Sequence, residues 1–218
     1  MVETIQAKNI TLEQLERHFH LQASEDEHFF WEWQEDLPEL TDWQLQLLDE
    51  VKAGYFNLIK QPPLLEKPIS LTILSPLLFI GQFYLAPFNI RAETSIEIAA
   101  PDEEQEIIVK GNLDTLVLRN QLWVMVIESK QARFSVEAGL AQILVYMLGN
   151  PGSDKPSFGM ITNGGSFIFV KLVRGDKYRY ATSDLFGIGN RHNNLQDVLK
   201  ILKKLIGISI ASNASNSF

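Results

Sequence analysis

Apolar residues recur along this chain with two different spacings, and the two spacings separate helices from strands. The segments with the three-to-four-residue spacing of an amphipathic helix are 11–19, 41–60, 135–148 and 195–205. The segments with alternating or β-branched apolar residues, which predict strands, are 88–98, 106–118, 122–127, 158–172 and 178–181. Segment 69–81 is apolar throughout and fits either a buried helix or a strand, and we favour the helix.

Capping and turn residues mark where several of these segments begin and end. Thr11 is the expected N-cap of the first helix, with Gln14 at the position that completes a capping box. Thr41 is the expected N-cap of the second helix. A tight turn is expected at 120–121, so the strands on either side of it should pair as a hairpin.

The order of these elements predicts an α/β (α+β) fold with one central mixed β-sheet flanked by helices. Asn163-Gly164 lies between two apolar runs and predicts a second hairpin within 158–172. We assign residues 64–208 to this core, and residues 1–63 to an acidic helical N-terminal extension that packs on it. The polar residues 209–218 are expected to form a disordered tail.

Composition and charge limit what the chain can do. Its 218 residues include no cysteine, which excludes disulfides and thiolate zinc sites and suits a cytoplasmic protein. The sequence has no apolar run long enough to predict a membrane span and no signal-peptide pattern. The net charge of −8 counts against a general nucleic-acid-coating surface, but it leaves room for a local basic groove. If a metal binds, carboxylates must hold it, which favours magnesium, manganese or calcium.

Two carboxylates and a lysine fall at matching positions on two predicted strands. Asp114 lies in the second core strand, and Glu128, Ser129 and Lys130 close the third. Counting back from the turn places Asp114 roughly opposite Glu128, where like charges destabilise a sheet unless a divalent cation lies between them. We therefore expect Asp114, Glu128 and the backbone carbonyl of Ser129 to hold a hard cation. Lys130 would orient or deprotonate an attacking water, or stabilise charge on a phosphate, and this set suits phosphodiester hydrolysis.

The following predicted helix adds two polar side chains to this set. Gln142 and Tyr146 lie four residues apart, so they share one helix face. We expect Gln142 to hold the lysine or the water, and Tyr146 to contact a phosphate or a base. The candidate catalytic residues are Asp114, Glu128, Lys130 and Gln142.

This pattern resembles the PD-(D/E)xK nuclease superfamily. The matched elements are Asp114, the (D/E)xK element Glu128-Ser129-Lys130, and the helix motif QxxxY from Gln142 to Tyr146. Segment 111–172 looks most like the N-terminal nuclease domain of type I restriction enzyme R subunits and its short stand-alone bacterial relatives. The resemblance covers roughly 69–180. It implies a restriction-endonuclease-like core, Mg²⁺ (or Mn²⁺) bound by the matched acidic residues, a lysine that assists cleavage, and DNA as the substrate.

The chain departs from this family pattern in two places. The family often has proline before the aspartate, where this chain has Leu113. Many members also carry another acidic residue on the first core helix. The candidates for that residue here are Glu66, Glu93 and Glu97.

Two functional hypotheses follow. The first is a metal-dependent DNA endonuclease or exonuclease related to restriction or repair, with a homodimer as one way to cut two strands. The alternative is a catalytically inactive nuclease-fold module that binds or regulates through protein or DNA contacts. The acidic segment 11–50 favours the alternative, because it could mimic DNA, recruit a protein partner or shield the cleft. Seven basic residues line a DNA groove under the first hypothesis or are ordinary solvated charges: Arg133, Lys171, Arg174, Lys177, Arg179, Arg191 and Lys200.

Overall fold

The described part of the chain folds into strands and helices around one mixed sheet. The computed structural model describes residues 3–60, 65–100, 107–119, 122–130, 135–150, 155–175 and 177–214. The strands in these ranges are β1 (Glu3–Gln6), β2 (Leu21–Ala23), β3 (Phe88–Ala99), β4 (Ile107–Arg119), β5 (Leu122–Ser129), β6 (Ser157–Thr162), β7 (Ser166–Val173), β8 (Tyr178–Thr182) and β9 (Phe186–Gly187). The α-helices are α1 (Leu12–Phe19), α2 (Asp42–Leu58), α3 (Glu66–Ile69), α4 (Ser75–Ile80), α5 (Leu140–Leu148) and α6 (Asn194–Ala214). A π-helical turn (Ser70–Leu74) joins α3 to α4, and the 3-10 helices are Ala7–Asn9, Trp31–Trp33 and Val136–Gly139.

The sheet runs in the order β1-β4-β5-β6-β7-β8-β2, with β3 on the other edge of β4 and β9 against β7. Strands β4 and β5 are antiparallel, whereas β5 and β6 are parallel. The predicted hairpin around Asn163-Gly164 is present as β6 and β7. This arrangement confirms the expected α+β architecture with a central mixed sheet and flanking helices.

The N-terminal residues contribute a strand to each end of this sheet order, which the sequence pattern did not predict. Strand β1 pairs in parallel with the start of β4, with Glu3 opposite Ile107. Strand β2 pairs in parallel with β8, with Leu21 opposite Tyr178. These strands are only three or four residues long and mostly exposed, so they lack the apolar alternation that marks a longer strand. The expected extension is therefore not helical throughout, because residues 3–23 complete the central sheet.

Local capping rules hold at two helix starts. Thr11 caps α1 through a complete capping box with Gln14, as predicted. Thr41 caps α2 as predicted, and Gln44 completes a second capping box there. Segment 69–81 is mostly helical, as favoured.

The last helix is longer than the sequence pattern suggested. Helix α6 continues to Ala214, through residues that we expected to belong to the tail. Residues 215–218, the turn at 120–121 and the boundary between 63 and 64 lie outside the described residues. No helix in the described ranges is long and apolar enough to cross a membrane.

Strand β5 lies between two apolar layers. Met125 and Ile127 pack in the layer that includes side chains of α2, α4 and α6. Val126 packs in the opposite layer, with side chains of α1 and α5. This confirms that β5 is buried on both faces. Since side chains alternate along a strand, Glu128 emerges on the α5 side.

Candidate active site

Strand β4 has an unpaired stretch on the edge that it shares with β1 and β5. Strand β1 pairs as far as Lys110, and β5 pairs only from Thr115, which lies opposite Ile127. Residues 111–114 of β4 thus have no ladder partner from either strand. Backbone groups in such a stretch must be satisfied by side chains or solvent, and the candidate residues gather here.

A one-residue irregularity in β5 brings Asp114 into line with Glu128. Val117 pairs with Met125, whereas Leu118 pairs with Trp123, so β5 contains one extra residue. Without it, the pairing would place Asp114 opposite Ile127. A one-residue slip moves a side chain to the other face of a sheet. The irregularity therefore places the two carboxylates on the same face, as the candidate metal site requires.

Asp114 is fixed by the backbone of the neighbouring strand. Its Oδ2 accepts a hydrogen bond of 2.7 Å from the amide of Ser129. Burial raises the pKa of Asp114, and the charges of Glu66 and Glu93 act in the same direction. The Ser129 hydrogen bond and the positive charge of Lys130 oppose that rise. A partly buried carboxylate that is anchored in this way has a defined orientation.

Glu128 is the most strongly perturbed carboxylate of the site. It is only 2% exposed. Burial, followed by the charge of Asp114, raises the pKa of Glu128 to about 8, although Lys130 opposes the rise. Its Oε1 accepts a hydrogen bond of 2.8 Å from Lys130 Nζ. Its Oε2 is buried and has no hydrogen-bond partner among the described residues.

A chain of hydrogen bonds links Lys130 to helix α5. Lys130 Nζ donates to Gln142 Oε1 at 2.6 Å, and Gln142 Nε2 donates to the Tyr146 hydroxyl at 3.1 Å. That hydroxyl donates to the backbone carbonyl of Asn112 at 3.0 Å, in the unpaired stretch of β4. The expectation that Gln142 holds the lysine agrees with this geometry.

Tyr146 occupies a different position from the one expected of a phosphate contact. It is 2% exposed, and its hydroxyl is already engaged with Gln142 and Asn112. Burial raises the pKa of Tyr146 to about 12, so the hydroxyl keeps its proton. In this position the hydroxyl supports its neighbours, and a contact of Tyr146 with a phosphate or a base stays a prediction.

Of the three candidates for an additional acidic residue, Glu66 affects both carboxylates of the site. Its charge raises the pKa of Asp114 and of Glu128, and it lies in the first turn of α3. The charge of Glu93 raises the pKa of Asp114 but is not among the causes for Glu128. Glu93 also adopts a positive φ of 51°. Glu97 instead pairs with Lys110 at 3.0 Å on an exposed part of the sheet. Sequence periodicity could not single out Glu66, because it precedes the apolar run and follows a proline-rich segment.

The described side chains do not form a ready-made metal cage. Among them, no group of three or more histidine, cysteine, aspartate or glutamate residues could hold a metal ion. The candidate ligands that lie together are Asp114 and Glu128. The main chain of Ser129 lies beside both, because its amide donates to Asp114 and it directly follows Glu128.

Several of the basic residues considered for a DNA groove serve the fold. Lys171 forms a buried ion pair with Glu32 at 2.5 Å. Lys200 pairs with Glu39 at 3.7 Å. Arg174 donates to the backbone carbonyls of Leu148 and Asn150 at the end of α5.

These contacts tie the acidic N-terminal segment to the core. The ring of Phe29 lies within 5.2 Å of both Lys171 Nζ and the Arg179 guanidinium. Trp33 packs edge-on against Phe186. Arg133, another candidate for the groove, lies outside the described residues. The acidic segment is thus a docked part of the molecule in this region.

No model of a known protein family matches this chain, and no curated protein matches it. The side chains that suggest a chemistry lie in the middle of β4, at the end of β5 and on α5.

Proposed function

We propose that this chain is a metal-dependent hydrolase of phosphodiester bonds in DNA, built on a restriction-endonuclease-like core. The observation that carries the proposal is the pair of the partly buried Asp114 and the buried Glu128, held on one sheet face with Lys130 Nζ 2.8 Å from Glu128. Folding two carboxylates together away from water is costly. Such a cost is typical of sites that bind a cation or perform acid–base chemistry.

The donor set fits a divalent cation such as Mg²⁺ or Mn²⁺. Glu128 Oε2 is a buried carboxylate oxygen with no partner in the described structure. Burial, followed by the charge of Asp114, raises the pKa of Glu128, and a hard cation with oxygen ligands would stabilise the charged carboxylate there. Asp114, Glu128 and the Ser129 carbonyl are the proposed ligands, and Glu66 is a further candidate because its charge acts on both carboxylates. A bound cation of this kind supplies Lewis acidity toward a phosphoryl oxygen.

The remaining residues hold and move protons. Lys130 would stabilise charge on the phosphate or orient the attacking water from its position beside Glu128. Gln142 fixes the Lys130 ammonium through a 2.6 Å hydrogen bond, and Tyr146 fixes Gln142 in turn. A reacting group needs such support, because small displacements cost large factors in rate.

The second candidate function is a non-catalytic module of the same fold that binds a protein partner. The observation that favours it is the buried ion pair of Lys171 with Glu32. A cation engaged in this way is not free to contact a phosphate. Glu25, Asp26 and Glu27 stay exposed, so a partner with a basic surface would suit this module.

The decisive experiment combines calorimetric titration of Mn²⁺ with cleavage of plasmid and linear DNA on the same samples. The proteins are the wild type, Asp114→Ala, and Glu97→Gln as a control that removes an exposed carboxylate outside the site. For a metallonuclease, binding and cleavage are present in the wild type and in Glu97→Gln, and both are lost in Asp114→Ala.

Other outcomes favour the second candidate. Mn²⁺ binding without cleavage of any DNA form would indicate a site that holds metal but does not hydrolyse these substrates. Absence of both, with and without added duplex DNA, would overturn the metallonuclease. The exposed acidic segment would then be the place to look for a protein partner.

A further inference from the structure

The side chain of Lys130 passes close to a glycine at the start of helix α5. Gly139 ends the 3-10 helix Val136–Gly139 and directly precedes α5. Its backbone angles, φ −87° and ψ −5°, are accessible to any residue. The backbone conformation therefore does not require glycine at this position. The neighbouring side chains do, because they fill the space around it.

That space is taken by Lys130 and Ile161. A Cβ atom on residue 139 would lie 3.1 Å from Lys130 Cε and 3.0 Å from Ile161 Cγ2. Ile161 is fully buried, with 0% of its surface exposed, and buried side chains are close-packed and resist displacement. Lys130 is only partly buried and has a flexible side chain. A methyl group at residue 139 would therefore displace the lysine in preference to the isoleucine.

Displacement of Lys130 would break a short, two-sided anchorage. Its Nζ lies 2.8 Å from Glu128 Oε1 and 2.6 Å from Gln142 Oε1. Hydrogen bonds weaken quickly with distance and misalignment. A shift of a few tenths of an ångström at Cε would lengthen or misalign the hydrogen bonds to both acceptors.

A second glycine, Gly111, leaves space for Tyr146 at the other end of the same hydrogen-bond chain. A Cβ atom on Gly111 would lie 2.6 Å from the Tyr146 hydroxyl and 2.6 Å from Ala7 Cβ. Tyr146 could then no longer reach the carbonyl of Asn112 in its present orientation. The chain from Asn112 to Lys130 thus has a residue without a side chain at each end.

We propose that Gly139 is a positioning residue for Lys130: its missing side chain leaves the space that lets the ammonium reach Glu128 and Gln142 together. The catalytic meaning of this position rests on the proposed nuclease function. The position of the ammonium itself is measurable whether or not the protein cleaves DNA.

The test is a ¹H–¹⁵N NMR spectrum of the lysine side-chain ammonium groups in the full chain. Hydrogen-bonded, shielded ammonium groups exchange slowly enough to be seen, and the Lys130 signal is assigned by its loss in Lys130→Arg. In Gly139→Ala the Lys130 signal shifts or disappears. Lys171, which is bound to Glu32 and to the Phe29 carbonyl, serves as an internal reference and keeps its signal. An unchanged Lys130 signal in Gly139→Ala would overturn the proposal.

Gly189→Ala is the matched control, because no atom lies within 4 Å of the added carbon. It keeps both ammonium signals at their wild-type positions. If Gly139→Ala does not fold, the same change is made in a Lys130→Ala background, where the Cγ and Cε atoms near residue 139 are gone. The double variant then folds, and its additional loss of stability is smaller than that of Gly139→Ala alone. An equal loss in both backgrounds would show that Gly139 does not act through Lys130.

Cleavage separates this proposal from the nuclease proposal. If the wild type cleaves DNA, Gly139→Ala lowers kcat by about tenfold or more while KM for DNA stays near the wild-type value. A fall in kcat with an unchanged NMR signal would count against positioning. If the wild type cleaves nothing, the nuclease proposal fails, and the NMR result still decides how Gly139 acts.

Discussion

The carboxylate of Asp114 accepts a 2.7 Å hydrogen bond from the amide of Ser129, just beyond the last paired residues of β4 and β5. One side chain thus satisfies a backbone group of the neighbouring strand and keeps its other oxygen available for the site. The first prediction separates these two roles.

Asp114→Asn keeps an oxygen that can accept from Ser129, whereas Asp114→Ala removes it. The alanine variant is expected to be less stable than the asparagine variant by about 1–3 kcal/mol, because it leaves a buried amide without a partner. Urea unfolding at pH 8 with EDTA measures the difference. Equal stabilities would mean that the hydrogen bond contributes nothing to the fold. In either variant Mn²⁺ binding is lost under the proposed function.

The raised pKa of Glu128 predicts that the stability of the fold depends on pH. Its pKa is about 8 in the folded protein, well above the ordinary value of 4.5, so the native state holds a proton that the unfolded state has released. Stability from this group is therefore present at acidic pH and is lost as the pH rises from about 4.5 through 8. Glu128→Gln removes this loss, which is on the order of a few kcal/mol.

The measurement is urea unfolding of wild type and Glu128→Gln at pH 5.5 and 8.5 in EDTA. The wild type is expected to lose more stability than the variant between the two pH values. A parallel dependence would contradict the buried, charged environment of Glu128. Because Asp114 also has a raised pKa and adds in the same direction, the comparison between the two proteins matters more than either curve alone.

Tyr146→Phe tests whether the hydroxyl supports the site from inside. The variant leaves the Asn112 carbonyl without its donor and Gln142 without an acceptor, so stability falls by about 1–3 kcal/mol. Under the proposed function, the affinity for labelled duplex DNA, measured by fluorescence anisotropy, stays unchanged because the hydroxyl is buried and bound to Gln142 and Asn112. A loss of affinity without a loss of stability would instead favour the phosphate contact that the sequence suggested.

The ion pair of Glu32 and Lys171 is expected to hold the acidic segment on the core. Lys171→Met leaves the Glu32 carboxylate buried without its partner and costs about 3–5 kcal/mol. The double variant Glu32→Leu/Lys171→Met loses less than the sum of the single changes, since no charge is left alone.

Lys200→Met is the control for this prediction, because its partner Glu39 is 92% exposed. An exposed pair of this kind contributes less than about 1 kcal/mol. Thermal unfolding of Lys171→Met, Glu32→Leu, their double variant and Lys200→Met gives the comparison. Similar losses in Lys171→Met and Lys200→Met would show that burial of the first pair has no energetic consequence.

Local rules were sufficient for much of the fold. The capping boxes of Thr11 and Thr41 depend on residues three positions away, and the hairpin at Asn163-Gly164 depends on its turn. These signals are complete within a short stretch of sequence. Strands β1 and β2 were missed because their partners lie more than 100 residues further along the chain, and nothing local distinguishes them.

In the candidate site, too, some relationships followed from local sequence, whereas others depend on residues distant in sequence. The pairing of Asp114 with Glu128 followed from counting along a hairpin, although only the extra residue in β5 makes that pairing hold. The burial of Tyr146 could not be foreseen, because it depends on the empty space at Gly111 and on Ala7 from the start of the chain. The choice of Glu66 among three glutamates depends on its charge acting on both Asp114 and Glu128 in the folded chain, which no spacing in the sequence reveals.

The placement of β1 and β2 has a consequence for how the protein is made. The first of these strands pairs with residues 107–110 and the second with residues 178–180. Each strand therefore lacks its partner until more than 100 further residues have been synthesised. Since pairings distant in sequence form slowly, these two pairings are expected to form late in folding.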